Sequence, residues 1–319
     1  MTDTLKNTAR RIDELKREKN AVILAHNYQV PEVQDIADYV GDSLGLSRKA
    51  AQTGADVIVF CGVHFMAETA SIISPDKKVL IPDPQAGCSL ADTITLEQLK
   101  EWKNEHPGAV VVSYVNTSAA VKSESDYCVT SSNAVKVVES IPEDRKILFL
   151  PDIFLGSYVA KQTGREMEIW PGECHVHSGI KVKDIKNMKA RHPGAEVVVH
   201  PECGCTTHYL YNSVSEKGEA VPGDVTFLST SGMTERARKG GEEFIVATET
   251  GMLHRLRKDN PSKKFFPASE SAVCEYMKMI TLDKVLRSLE EEIYEVKVPQ
   301  QLALRAKKPI DRMLGVSAA

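Results

Sequence analysis

The sequence predicts an α/β fold. Three homologous βαβ-type units, each with a small parallel sheet, are arranged around a pseudo-three-fold axis. Three observations lead there. The tetrapeptide His-Pro-Gly-Ala occurs at His106–Ala109 and again at His192–Ala195. Each copy follows a helical stretch (Leu96–Lys103, Val182–Ala190) and precedes a valine-rich run (Val110–Val112, Val197–Val199). Upstream, the helical stretch Ile12–Lys19 leads in the same order into Ala21-Val-Ile-Leu-Ala25. Short β-branched runs without alternation mark parallel strands buried on both faces, and strand–helix–strand order with short loops gives right-handed crossovers.

The elements follow in chain order. First strands are Ala21–Ala25, Val110–Val112 and Val197–Val199. Second strands are expected to begin at aspartates, Asp56, Asp126 and Asp224. Third strands are Lys78–Ile81, Lys146–Leu150 and Phe244–Ala247, with helices such as Glu32–Ala51, Asn133–Ser140 and Thr234–Lys239 between strands. This divides the chain into units at 1–95, 96–181 and 182–280. A helical segment, 281–319, is expected to pack back on the first unit. Its Leu282, Val285, Leu286, Leu289 and Ile293 fall on one helical face.

Composition narrows the class. The 319 residues are 42% hydrophobic and 26% charged, ordinary globular values that exclude a disordered chain. A net charge of −4 with no basic block gives no electrostatic footprint for nucleic acid. The longest apolar run, Ala21–Ala25, is strand-sized, far short of the ~20 residues of a membrane span. The polar start, carrying Asp3, does not read as a signal peptide. A soluble, cytoplasmic protein is expected, with no membrane partner.

Ligands of parallel α/β units bind beyond the carboxyl ends of the strands. Aligning the first strands places His26, Tyr114 and His200 at one position, and Tyr28, Asn116 and Glu202 two residues later. Such polar chemistry at the ends of the most hydrophobic strands points to a site. The bland alternative is a set of satisfied polar groups at strand ends. Cys61-Gly62, Ser131-Ser132 and Ser229-Thr230 follow the expected second strands, where hydroxyls either cap helices or join backbone N–H groups in holding an anion. Ser43, after Gly41-Asp42, is open to the same two readings. No phosphate-binding loop of the nucleotide type follows any strand.

Seven cysteines, an odd number without an export signal, do not read as a disulfide framework. Cys88, Cys174 and Cys274 each follow the last strand region of one unit. Three converging thiolates would bind a [4Fe-4S] cluster and leave one iron open as a Lewis acid. Zinc on Cys174 and His177, a Cys-x-x-His spacing, is the competing metal reading. Cys61 and Cys128 read as packing thiols. For Cys203 and Cys205, structural, redox and ligand roles are all open.

With these residues in view, the chain resembles the quinolinate synthases, iron–sulfur enzymes of NAD biosynthesis, over nearly its whole length. The resemblance rests on Leu24-Ala-His-Asn-Tyr-Gln29, Asp35-Ile-Ala-Asp38, Gly41-Asp-Ser43, Tyr114-Val-Asn116 and Thr130-Ser-Ser-Asn133. It continues through Gly172-Glu-Cys-His-Val-His177, His200-Pro-Glu202, Ser229-Thr230, Gly251-Met252 and Ala272-Val-Cys274. The segment Cys203–Val221 matches no family motif. The resemblance implies three homologous domains about a pseudo-three-fold axis and a [4Fe-4S] cluster on Cys88, Cys174 and Cys274. It implies condensation of iminosuccinate with dihydroxyacetone phosphate to quinolinate, a transferase reaction with dehydration and cyclisation. Functional coupling to an iminosuccinate-producing enzyme goes with it.

Residue by residue, it implies substrate binding by His26, Ser43, Tyr114, Asn116, Ser131, His200, Glu202 and Thr230. Ser229 and Thr230 would hold a carboxylate or phosphate at a helix start. Glu202 is the leading general acid/base, with Tyr28 and His177 as further proton carriers. Two other classes compete with this one: a cluster-dependent hydro-lyase acting on another small dicarboxylate, and a redox sensor. The sensor lacks any recognisable output module.

Overall fold

A computed structural model describes residues 3–212 and 225–316. Its strands form three four-stranded sheets, every pairing parallel. The first contains β1 (Ala21–His26), β2 (Tyr39–Gly41), β3 (Val57–Cys61) and β4 (Lys78–Leu80), in spatial order β2-β1-β3-β4. The second has β5 (Val110–Tyr114), β6 (Tyr127–Val129), β7 (Ile147–Leu150) and β8 (Glu168–Ile169), in order β6-β5-β7-β8. The third has β9 (Glu196–Val199), β10 (Val225–Phe227), β11 (Glu243–Ala247) and β12 (Lys264–Pro267), in order β10-β9-β11-β12. The order is the same each time, so the expected α/β class with repeated small parallel sheets holds.

Each sheet has four strands, not three, and in the first the numbering shifts by one. The strand expected second, beginning at Asp56, is β3, and Lys78–Ile81 is the fourth strand, β4. The true second strand, β2, lies inside the stretch expected as one helix, Glu32–Ala51. That stretch divides into the helix Pro31–Ile36, β2, and the helix Ser43–Gln52. A three-residue edge strand is too short to show a two-residue period, so the flanking helical pattern masked it. The aspartate logic survives with Asp38 in place of Asp56. Asp38 accepts a hydrogen bond from Ile23 N at 2.7 Å, as Asp126 does from Val111 N at 2.9 Å, each tying the second strand to the first. Asp224 lies outside the described residues, as do positions 213–221 of the unmatched segment.

One apolar cluster runs from Ile12 and Ile23 through Val112 and Phe149 to Val246 and Met313, binding all three sheets. Each fully buried Ile, Val or Phe in it is worth about 1.5–3 kcal/mol of transfer free energy. The helix Leu282–Glu291 buries Leu282, Val285 and Leu289 and packs on the helix Asp3–Glu18 and on β3; Ile293 lies past its end. The last helix, Gln300–Gly315, packs on β6 and on the helices Ala119–Lys122 and His64–Ile73. Among the described residues, no helix is long and apolar enough to cross a membrane.

Candidate active site

Sheet register fixes which residues meet. His26 on β1 lies opposite Gly41 on β2, and Tyr114 on β5 opposite Val129 on β6. His200 directly follows Val199, which lies opposite Phe227 on β10. Two residues beyond Gly41 and Val129 come Ser43 and Ser131; His200 aligns with Leu228, and two residues beyond that comes Thr230. Ser43, not Cys61, is therefore the partner of Ser131 and Thr230. Cys61 ends β3, buried, and burial pushes its thiol pKa up. Asp42 caps the helix Ser43–Gln52 by accepting from Gly45 N at 2.8 Å, and Ser229 caps Thr230–Lys239 by accepting from Gly232 N at 3.2 Å. With the caps supplied, Ser43 and Thr230 face one cavity at the strand ends. Ser229 is the one predicted contact that does not line it.

His26, Tyr28, Tyr114, Asn116, Ser131 and His200 line the same cavity, together with His177 and Glu202. Glu202, only 3% exposed, accepts a hydrogen bond from the Tyr114 hydroxyl at Oε1. Its Oε2 lies 3.5 Å from His177 Nδ1, and its Oε1 lies 3.6 Å from His200 Nδ1. Burial raises the Glu202 carboxyl to about 7. Burial lowers His26 to about 3 and His177 to about 4, and drives His200 well below the usual imidazole range. The imidazoles are neutral at pH 7 and serve as donors or acceptors, not as cations. Ser131 Oγ meets His200 Nε2 at 3.1 Å, and Asn27 Nδ2 donates to Thr230 Oγ1 at 2.9 Å. The Asn116 amide oxygen is buried without a partner, an open acceptor in the cavity wall. An unmet acceptor of that kind fits a ligand that brings a donor.

Sequence reasoning missed Thr248 and Glu249. Thr248 Oγ1 bridges the Tyr28 hydroxyl (2.6 Å) and His177 Nε2 (2.9 Å). Glu249 is buried, accepting from Cys274 N at 3.1 Å, Gly251 N at 2.7 Å and Lys278 Nζ at 2.8 Å; Lys278 also donates to the Tyr28 carbonyl. Both follow β11 directly. The strand-end argument, extended from the first strands to the third strand Phe244–Ala247, finds them.

Cys88, Cys174 and Cys274 follow β4, β8 and β12 and line this one cavity, each free of disulfide. Burial raises all three thiols, Cys88 to about 12, and Cys88 is raised further by its neighbour Cys274, as Cys174 is by Cys88. Opposing that rise, backbone N–H groups two and three residues on point to each sulfur: Leu90 and Ala91, Val176 and His177, Tyr276 and Met277. Three equivalent sulfurs, each cradled by two amides, suit thiolates bound to a soft metal group. The residues fit a thiolate-held cluster. Cys174, His177 and Glu202 also bring a thiol, an imidazole and a carboxylate within 4.8 Å of one another, donor atoms able to hold a metal ion. Cys128 is buried on β6, away from the cavity lining. Cys203 and Cys205 form a disulfide within the turn after Glu202, where Gly204 N donates to the His177 carbonyl at 2.9 Å.

Residues 10–315 match the family model described as quinolinate synthetase A protein. The quinolinate synthase of Thermus thermophilus is 56% identical over 310 residues, 97% of each chain. That of Pyrobaculum aerophilum is 55% identical over 300 residues, covering 94% of this chain and 96% of its own. That of Mycobacterium tuberculosis is 53% identical over 310 residues, 97% of this chain and 88% of its own. A match of that length and identity, on a chain whose strand ends converge on one polar, thiol-lined cavity, places it in the quinolinate synthase family.

Proposed function

We propose that the chain condenses iminosuccinate with dihydroxyacetone phosphate, giving quinolinate, phosphate and water, in the cavity at the strand ends. The observation that carries this reading is a buried carboxyl, Glu202, held by Tyr114 in the same cavity as three free thiols. Under this reading Cys88, Cys174 and Cys274 hold a [4Fe-4S] cluster, which when bound supplies an open Lewis-acidic iron for the loss of hydroxyl as water.

The chain's own residues do the rest. Both substrates are anionic, and the hydroxyls of Ser43, Ser131 and Thr230 with the neutral His26 and His200 offer donors to carboxylate or phosphate. Ser229 serves through its cap, which sets Thr230. Asn116 turns its unmet amide oxygen to a substrate N–H or O–H. Glu202 takes the proton released when the triose enolises and returns it later, while Tyr114 holds Oε1 in place. Tyr28 and His177, joined through Thr248 Oγ1, carry further protons. Burial keeps water from hydrolysing the imine, and coupling to an enzyme that produces iminosuccinate would shorten its exposure further. The same reading takes 1–95, 96–181 and 182–280 as three homologous units that share this centre.

The test is anaerobic preparation with iron, sulfide and quinolinate assays. About four irons and four sulfides per chain with quinolinate formed from the two substrates supports the reading. A colourless, fully active preparation removes the cluster from it. A loaded preparation that makes no quinolinate but dehydrates another small dicarboxylate points to a hydro-lyase instead.

A further inference from the structure

We infer that Cys174 Sγ, His177 Nδ1 and Glu202 Oε2 form a site for a single thiophilic divalent cation of the zinc class, mutually exclusive with the three-cysteine group. The site itself rests on geometry alone; the exclusion rests on the proposed cluster, because Cys174 belongs to both sets.

Two of the three donor–donor distances match the edges of a coordination polyhedron. With metal–sulfur about 2.3 Å and metal–nitrogen or –oxygen about 2.0–2.2 Å, tetrahedral edges come to roughly 3.4–3.6 Å. His177 Nδ1 lies 3.3 Å from Cys174 Sγ and 3.5 Å from Glu202 Oε2. All three donors lie within 4.8 Å of one another. A cation between them requires the remaining edge, Cys174 to Glu202, to fall in the same range. The fourth position opens on the cavity, the arrangement of a three-ligand site with an exchangeable place.

The outer partners are in position as well. A metal-bound imidazole generally hands its other nitrogen to an oxygen, which sets tautomer and ring direction. His177 Nε2 meets Thr248 Oγ1 at 2.9 Å, so Nδ1 can present its lone pair to the cation. Thr248 is held in turn by Tyr28 at 2.6 Å. Glu202 spends Oε1 on the Tyr114 hydroxyl and leaves Oε2 for the metal. His177 and Glu202 are each 3% exposed, and Gly204 N pins the His177 carbonyl at 2.9 Å, so the ligands are pre-positioned. Binding displaces the Cys174 thiol proton to solvent. An occupied site would consume a cluster ligand and the proposed base together, so zinc acts as an inhibitor of both assembly and turnover.

The experiment uses the full chain made free of iron, titrated with Co²⁺ as the spectroscopic probe and then with Zn²⁺. The expected result is one Co²⁺ per chain with a thiolate-to-cobalt charge-transfer band, displaced by Zn²⁺. Cys174→Ser and His177→Gln abolish the band, and Thr248→Val weakens binding roughly 10–100-fold through the lost outer contact. Cys88→Ser and Cys274→Ser keep it while failing to assemble a cluster, which separates this site from the three-cysteine reading. Chain preloaded with Zn²⁺ resists cluster assembly until a chelator is added. Absence of the band in the wild type overturns the site, as does its survival in Cys174→Ser or its loss in both Cys88→Ser and Cys274→Ser. Cluster assembly at an unchanged rate with zinc still bound overturns the exclusion.

Discussion

Replacing Glu202 by glutamine isolates the proposed acid/base chemistry from folding. The amide has the same shape, and its oxygen can still accept from Tyr114, the bond that fixes Oε1. What it cannot do is take up a proton beside His177 and His200. A positioned general base contributes about 10²–10⁴-fold, so quinolinate formation should fall by at least the lower figure. That corresponds to about 3–5 kcal/mol of lost transition-state stabilisation. Stability should move the other way or not at all. The wild-type carboxyl is 3% exposed, and burial opposes its charge strongly enough to raise it to about 7. A neutral amide escapes that cost. The substrates are anionic, so removing a negative group should leave KM unchanged or lower it. Quinolinate formation, iron content and melting temperature, all measured on one anaerobic preparation, give the pattern expected of a catalytic group: low kcat, full cluster, undiminished Tm. Activity within tenfold of wild type, or a lowered Tm with a modest kinetic change, would refute the reasoning and shift the proton-transfer role to Tyr28 or His177.

Three further outcomes are expected. Serine at Cys88, Cys174 or Cys274 should remove iron and activity together, while alanine at Cys61 or Cys128 should keep both; iron analysis with the quinolinate assay decides. Lys278→Met leaves Glu249 buried beside two backbone N–H groups without its cation, and breaking a buried pair costs about 3–5 kcal/mol. Denaturant titration of the cluster-free chain should show that loss, and a change below about 1 kcal/mol would mean the pair is only a surface ion pair in effect. Glu292→Gln removes a carboxylate that hydrogen bonds from Lys19 and Lys78 hold down to about 2. Because its folded value lies below the unfolded one, its contribution is present above pH 4.5 and disappears as pH falls through about 2. At about 1 kcal/mol for so exposed a group, the gap to wild type should be measurable at neutral pH and narrow on acidification; a gap that widens in acid contradicts the assignment.

Much of this protein was legible in its sequence. Buried parallel strands are continuous apolar runs, so Ala21–Ala25, Val110–Val112 and Val197–Val199 announced the three sheets, and their ends named His26, Tyr114, His200, Asn116 and Glu202. The three cysteines could be picked from seven because each follows a last strand. The sequence could not show β2, where three edge residues carry no period, and so it paired Cys61 with Ser131 when the partner is Ser43. Only tertiary structure decided which hydroxyls cap and which face the cavity, because Asp42 and Ser229 had to be seen accepting from Gly45 and Gly232. Thr248 between Tyr28 and His177, Glu249 beneath Cys274, and the Cys174–His177–Glu202 triangle join residues far apart in the chain. Local pattern records what a residue does to its own helix or strand. Contacts between strand ends of different sheets depend on how the sheets pack, and no period in the chain encodes that.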